Sequence, residues 1–502
     1  MNSFPILSLT LFIPILGAII IMCLPRDQVK AIKYVAAVST CISMVLSLIV
    51  VLTYDRSAGG MQFIENIPWV TDLGVSYALG VDGISIPLLL LTNLIGFSAV
   101  YASWHTADRV KEFFALLLIL ISGVMGTFIT TDLFIFFLFY EVVVIPIYLM
   151  VIMWGSSKRV TKEYAGMKLT IYLLIGSAFL LVGLISLFVT SKGILGYPSM
   201  DINTLSGLDY SNGFQIFAYI MMTLGFGTLL SMFPFHAWSP DGYAGAPTAV
   251  SMIHAGVLKK IGGYGLIRVG LYILPIGAKY IAPLIAVLAL GNVIYAAYIC
   301  ISQRDLKYIV GYSSVSHMGY VLIGLAAIKV VSINGAVMMM FAHGVMAALF
   351  FAMIGNLYEK SHTRNVDDFG GLAHQMPRLA TGFMIAGLAS LGLPGTVNFI
   401  GEFTIFVGAF STYKALTILA VSGIIFTAVY ILRTLGDVLF GPRLEKWDHL
   451  QDLKGVELIP LLVLGTAILA VGIFPSTIMD LINSGVGQLM AQIGNIQIGG
   501  IF

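Results

Sequence analysis

The sequence holds little charge and almost no cysteine, and each shortage excludes a class of function. Only 10% of its 502 residues are Asp, Glu, Lys or Arg, too few for an ordinary soluble domain and unlike the charge-rich text of a disordered chain. Cys23, Cys41 and Cys300 are scattered through apolar text. With no CxxC or CxxCH pair, zinc, iron–sulfur and c-type haem sites have no support, and no metal site is expected. No GxGxxG or GxxxxGKS/T opens a helix after a strand, so nucleotide binding has none either. A net charge of +2 gives no reason to invoke nucleic acid. Any redox chemistry associated with the chain belongs to a partner.

Long apolar runs are what the chain has instead. A membrane span needs about 20 apolar residues, and such runs fall near 4–24, 30–53, 83–104, 113–131, 132–154, 165–190, 213–235, 246–274, 279–302, 306–328, 331–357, 380–412, 414–440 and 456–483. The expectation is an all-α polytopic membrane protein of about 14 helices. The first run is too long, and lacks the small-residue cleavage site, for a removable signal peptide; it reads as anchor and first span. Basic residues gather after odd-numbered runs, roughly 17 against 6 after even-numbered ones, with Lys158 in the first set and Arg268 in the second. By the positive-inside rule the odd loops are cytoplasmic and both termini lie on the opposite side.

Two runs are interrupted alike. "LGFGTLLSMFPFHAWSPD" breaks at Pro234, and "LASLGLPGTVNFIGEF" breaks at Pro394 and Gly395. Proline removes a backbone donor and clashes with the preceding turn, and unpaired backbone inside a bilayer is tolerated only where protein or a wet cavity surrounds it. Paired broken helices in corresponding halves point to an inverted-repeat transport fold. Five helices separate the breaks, so spans four to eight match spans nine to thirteen, and an odd-length repeat inverts its second copy. The competing reading is two ordinary proline kinks.

Four ionisable residues fall inside spans: Glu141 in "LFYEVVV", the adjacent pair Lys259 and Lys260 in "SMIHAGVLKKIGGYGLIR", and Glu402 in "NFIGEF". A charge at mid-membrane costs roughly 2.5 to 3.5 kcal/mol, and residues that bear it usually pair, face the bundle interior and mark ion or proton routes. Lysine suits a proton carrier because burial lowers its affinity for the proton and a nearby carboxylate restores it; arginine stays protonated. His236, His254, His317 and His343 add side chains suited to proton relay near neutral pH. A lone histidine on an apolar face is more often a satisfied core residue, and nothing in the spacing requires haem.

The motifs "FHAWSPDGYAGAPTAVSMIHAGVLKKIGGYGLIR", "DLKYIVGYSSVSHMGYVLIG", "LYEKSHTRNVDDFGGL" and "LASLGLPGTVNFIGEF" resemble the antiporter-like membrane subunits of respiratory complex I, a family related to Mrp-type cation/proton antiporters. The resemblance covers essentially the whole chain. Glu402, where two sister branches typically carry lysine, sorts the chain with the branch called chain M or subunit 4. The resemblance implies about 14 helices with two inverted five-helix repeats, each holding a broken helix. It implies proton-transfer roles for Glu141, Lys260, His317, His343 and Glu402, with Asp132 and Lys168 at further polar positions.

By the same resemblance the chain is a subunit of an NADH:quinone oxidoreductase in a prokaryotic-type cell inner membrane, coupling redox chemistry to proton pumping. Flavin, iron–sulfur clusters and quinone then belong to other subunits, none to this chain, and the antiporter-like chains L and N are its neighbours. Four segments are expected: 1–111, the first repeat 112–275, the second repeat 276–440, and 441–502. The family places a lysine where this chain has Leu229, which suggests that Lys259 turns to Glu141 in its stead while Lys260 faces the central polar track. Competing functions are a sodium/proton antiporter of Mrp type, a membrane arm driven by ferredoxin, coenzyme F420 or a hydrogenase module, and a structural membrane spacer.

Overall fold

The computed structural model describes residues 4–156 and 159–495; Lys158, used above for orientation, lies outside them. Two helices, α1 (Ile6–Cys23) and α2 (Val29–Thr53), lead into an antiparallel hairpin of β1 (Gln62–Val70) and β2 (Val75–Val81). The chain continues through α3 (Ser85–Ala102), α4 (Val110–Ile129), α5 (Leu133–Trp154), α6 (Lys162–Leu195) and the short α7 (Ile202–Ser206). The first interrupted run is α8 (Asn212–Leu230) and α9 (Trp238–Gly245). After it, α10 (Thr248–Ile253) and α11 (Lys259–Gly265) alternate with π turns at His254–Leu258 and Leu266–Leu271. Then come α12 (Pro275–Ser302), α13 (Leu306–Ala326), α14 (Val330–Ser361), the short α15 (Leu372–Gln375), the broken pair α16 (Pro377–Ser390) and α17 (Val397–Phe410), α18 (Lys414–Leu439), α19 (Leu458–Ile473) and α20 (Ser476–Asn495).

Among the described residues twelve helices are long and apolar enough to cross a membrane. The runs expected at 246–274 and 380–412 are not single α-helices: the first is segmented by π turns and the second is broken outright. The run expected at 456–483 divides at Pro475, which ends α19 and starts α20. The hairpin was not foreseen in an all-α chain, because its turn-rich text lies between apolar runs and alternates only weakly.

Side-chain caps fix several helix starts. Asp132 accepts from the N–H groups of Phe134 and Ile135 to open α5, Thr161 from Tyr164 to open α6, and Asp305 from Lys307 and Tyr308 to open α13, each pairing a donor that a helix end otherwise leaves free. Helix α14 is buried along its whole spanning window and α13 nearly so, whereas α1, α2, α6, α12 and α18 turn more than half of theirs outward. The segment from α10 through the second π turn is equally buried and α3 and α4 are largely so, and at the centre of this core α13 and α14 carry His317 and His343.

Three basic residues included in the loop counts above, Arg268 among the even-numbered loops and Lys307 and Lys168 among the odd-numbered ones, have partners within the protein instead. Arg268 lies in the second π turn, buried against Asp82; Lys307 is buried in the first turn of α13 and donates to the Ala246 carbonyl at 2.6 Å; Lys168, in α6, pairs with Asp241. Composition alone does not separate a loop cation from one with a buried partner.

Candidate functional site

The two breaks pose one problem, since each opens backbone groups at membrane depth. At the first, the chain leaves α8 through Ser231, whose φ of +64° turns it sharply. Asn292 of α12 meets the opened backbone with its amide: its Oδ1 accepts from Phe233 N at 2.6 Å, and its Nδ2 donates to Ser231 O at 2.7 Å and to Val315 O at 3.2 Å. At the second break Gly392 has φ +72°, a left-handed backbone that favours glycine, and the Glu402 carboxylate packs against it. Here a histidine supplies the partner: His317 Nε2 lies 3.0 Å from Ser390 O.

From that histidine a file of buried titratable side chains runs to Glu402 on one side and to His343 and Lys260 on the other. His317 Nδ1 lies 2.7 Å from Ser313 O, and its Nε2 lies 3.7 Å from Glu402 Oε1. With both ring nitrogens facing carbonyls, a ring carrying two protons bonds at each, and a neutral ring at only one. The rings of His317 and His343 are 5.4 Å apart between centroids. Lys260 Nζ sits 2.9 Å from His343 Nδ1 and also donates to the Ala255 carbonyl. That carbonyl belongs to the first π turn; π turns recur at functional sites because they leave the regular ladder. Lys260, His343, His317 and Glu402 are all buried.

Next to the file, Lys259 donates to Ser314 Oγ at 3.2 Å and lies 5.1 Å above the Tyr243 ring, a cation–π contact. The expected partnership of Lys259 with Glu141 is not formed. Adjacent helical residues diverge by about 100°, and the π turn before α11 sends Lys259 toward α13 and α9. His254 is packed between the rings of Trp238 and Tyr243, each 5.0 Å away, and neither of its nitrogens has a hydrogen-bond partner among the described residues. The same holds for His343 Nε2 and for both amide atoms of buried Asn398. Buried polar groups are rarely left unbonded, so water is the natural partner along this file.

A second cluster lies at the first break. Lys168 Nζ pairs with Asp241 Oδ2 at 2.7 Å, Tyr308 donates its hydroxyl to Asp241 Oδ1 at 2.8 Å, and the Arg159 guanidinium lies 4.5 Å over the Tyr308 ring. His236, just after the break, stacks on Phe233 at 5.6 Å and meets the edge of Tyr295 at 5.3 Å.

The structure therefore brings Lys260, His343, His317 and Glu402 into one file, sets Lys259 and His254 beside it, and gives Lys168 a carboxylate partner. Two expected residues stand apart. Asp132 caps α5 and accepts from Ser76 N at 2.9 Å, outside the file. Glu141 lies in an apolar groove between α5 and α6 with Phe137, Ile145 and Leu174. Sequence reading missed Asp241, Asn292, Ser313, Ser314 and the buried pair Arg268–Asp82. The signal for Asp241 was present, a carboxylate seven residues past Pro234 in otherwise apolar text.

A family model described as NADH:quinone oxidoreductase/Mrp antiporter, TM, matches residues 130–427. The chain belongs to this family. A relative from Synechococcus sp. (strain JA-3-3Ab) named NAD(P)H-quinone oxidoreductase chain 4 1 is 39% identical over 94% of this chain and 90% of its own length. NADH-quinone oxidoreductase subunit M of Rickettsia conorii (strain ATCC VR-613 / Malish 7) is 34% identical over 98% and 100%. Among solved structures, a chain of respiratory complex I from Thermus thermophilus with bound NADH superposes with a TM-score of 0.87 at 25% identity, covering 96% of this chain and 99% of that one. The relatives' names, subunit M and chain 4, are those of the branch to which Glu402 assigned this sequence, and the mostly helical fold agrees with the matched structure.

Proposed function

We propose that the chain is a proton-translocating membrane subunit of an NADH:quinone oxidoreductase, with the redox groups carried by other subunits. The observation that carries this reading is the buried file Lys260–His343–His317–Glu402, with neighbours at 2.9 Å, 5.4 Å between ring centroids, and 3.7 Å. Its members all titrate, and their spacing lets a proton pass by direct hydrogen bond or through one intervening water.

In the mechanism, Lys260 holds a proton between the Ala255 carbonyl and His343. Movement of charge nearby, of which Lys259 is the closest source, favours its release to His343. His317 accepts on one ring face and donates on the other toward Glu402, which is the terminal carrier of this chain. Lys168 and Asp241 load the file from the first break, with His254 and His236 beside that route. Segments 112–275 and 276–440 act as inverted repeats, with the broken seventh and twelfth runs in corresponding places; 1–111 and 441–502 flank them. The basic-residue asymmetry supports cytoplasmic odd loops and both termini outside, in a prokaryotic-type inner membrane. The antiporter-like chains L and N are the proposed neighbours.

The experiment is reconstitution of the intact complex into liposomes, with NADH oxidation and internal acidification followed together. Glu402→Gln keeps the shape of the side chain and removes its titrating proton. Loss of proton transfer with retained subunit composition supports the reading, and unchanged proton transfer per electron refutes it. Proton movement driven by a sodium gradient in the absence of NADH would move the assignment to the Mrp side of the family.

A further inference from the structure

Each break has a buried asparagine beside it, and the two are used in opposite ways. Asn292 at the first gives both amide atoms to backbone groups. Asn398, in the first turn of α17, is buried, and neither of its amide atoms has a hydrogen-bond partner among the described residues. It does not repair the second break. There the Ser390 carbonyl is met by His317 Nε2 and the Leu393 carbonyl by the Thr396 hydroxyl at 2.8 Å, and no side chain caps α17.

The packing of α17 on α14 fixes where Asn398 sits. Gly401 packs on Met339, Ile405 on Gly335 and Gly408 on Ser332, so each advance along α17 is an equal step back along α14. Positions 398, 401, 405 and 408 lie on one stripe of a helix. Carried one turn toward the break, the same register sets Asn398 level with Ala342, next to His343. Glu402 follows one turn further along α17.

His343 needs a partner at this point. Its Nδ1 faces Lys260 Nζ at 2.9 Å, and its Nε2 has no partner among the described residues. The His317 ring lies 5.4 Å away between centroids, with Nδ1 turned to Ser313 O and Nε2 to Ser390 O and Glu402. No direct hydrogen bond therefore joins the two imidazoles. With the Lys260 ammonium donating to Nδ1, the neutral ring of His343 carries its proton on Nε2, and a buried N–H without an acceptor is costly. An amide offers both a donor and an acceptor and does not titrate, which suits it to hold water.

We propose that Asn398 is a positioning residue, whose amide holds the water that takes the proton from His343 Nε2 toward the His317–Glu402 pair. As a Lys260 N–H bond breaks and an N–H bond forms at His343 Nδ1, the Nε2–H bond breaks toward that water. The water releases one of its own protons to the pair. At the end the water is unchanged, Lys260 is neutral, His343 is neutral with its proton on Nδ1, and the pair has gained one proton. This role rests on the reading of the file as a proton route.

The test uses the intact complex, in liposomes for transport and in a structure resolved well enough to show ordered water. A water within hydrogen-bond distance of both the Asn398 amide and His343 Nε2 is expected. In Asn398→Leu, which has a similar shape without the hydrogen bonds, that water should be lost while both histidine rings stay in place. NADH-driven proton transfer should then fall roughly tenfold, the scale of one net hydrogen bond lost at the transfer step. The slowing caused by heavy water should rise in parallel, which a purely structural defect would not produce. Asn398→Ser, still able to bind water, should recover part of the rate; if the leucine variant does not assemble, this variant and the unaltered complex decide. An Asn398 amide bonded to protein with no water at His343, or a rate and isotope effect unchanged by the substitution, would overturn the proposal. Loss of transfer in Glu402→Gln with none in Asn398→Leu rejects the role of Asn398 alone, whereas unchanged transfer in Glu402→Gln rejects the file itself.

Discussion

The two breaks face the same backbone problem and answer it with different side chains. At the first, an amide holds the open turn: Asn292 binds Ser231 O and Phe233 N. At the second, an imidazole binds Ser390 O and stands beside Glu402. An amide cannot change protonation, so the first break is held identically in every state of the file. Imidazole can, so the hydrogen bond at the second break depends on where the proton is. One break is a fixed strut, and the other joins the geometry of the backbone to the occupancy of the file.

The sharpest way to break that comparison is to stop the second break from titrating. His317→Asn can still donate to Ser390 O but cannot relay a proton. Turnover of the assembled complex should fall roughly 100-fold, the scale of losing a positioned acid–base group, with subunit composition intact. Lys260→Met should match it, since it removes the group that feeds His343. Near-normal NADH-driven proton transfer in either variant would show that the file is not the route.

Next in size is the buried pair Arg268–Asp82, which ties the second π turn to the start of α3. Replacing Arg268 by leucine leaves Asp82 buried and unpaired, and breaking such a pair costs about 3 to 5 kcal/mol. The expected outcome is loss of assembled complex, read by native electrophoresis, and Arg268→Lys should recover part of it. Asn292→Ala tests the strut itself. It removes three hydrogen bonds from buried backbone groups, about 1 kcal/mol each, so thermal stability should drop by about 3 kcal/mol. His317→Asn, which retains a donor at its own break, should lower it less.

Much of this was legible in the sequence, for reasons particular residues make plain. Pro234 and Pro394 interrupt apolar text, which only a polar or protein-lined surrounding permits, and Lys260 and Glu402 are too costly at mid-span to be incidental. The orientation of Lys259 was not legible. A regular helix carries 100° per residue, but the π turn at His254–Leu258 shifts the register by a fraction of a turn, and no residue pattern announces it. Asn292 was invisible for another reason: its task is set by the shape of a neighbouring helix's break. Arg268 and Lys307 were misread as loop charges because their partners, Asp82 and the Ala246 carbonyl, are 186 and 61 residues away.

The smallest effect concerns a group in the wall, where protonation bears on stability alone. Asp132, in the connection before α5, is buried, and burial pushes its carboxyl up to about 6 against the hydrogen bonds from Ser76, Ile135 and Phe134, with Asp201 nearby adding repulsion. A carboxyl whose value in the folded chain lies above its ordinary 3.8 binds its proton more tightly folded than unfolded. Its contribution to stability is therefore complete below about 4 and is lost as pH rises through about 6. Asp132→Asn keeps the acceptor for the cap and removes the titration. The thermal unfolding temperature of the intact complex should fall between pH 4 and pH 6 in the unaltered protein, and fall less in the variant. Proton transfer per electron should not change with this substitution if Asp132 is a cap, whereas a drop comparable with that of His317→Asn would extend the file to α5. Equal pH slopes in the two proteins would mean that Asp132 is ionised throughout and that its three backbone donors outweigh its burial.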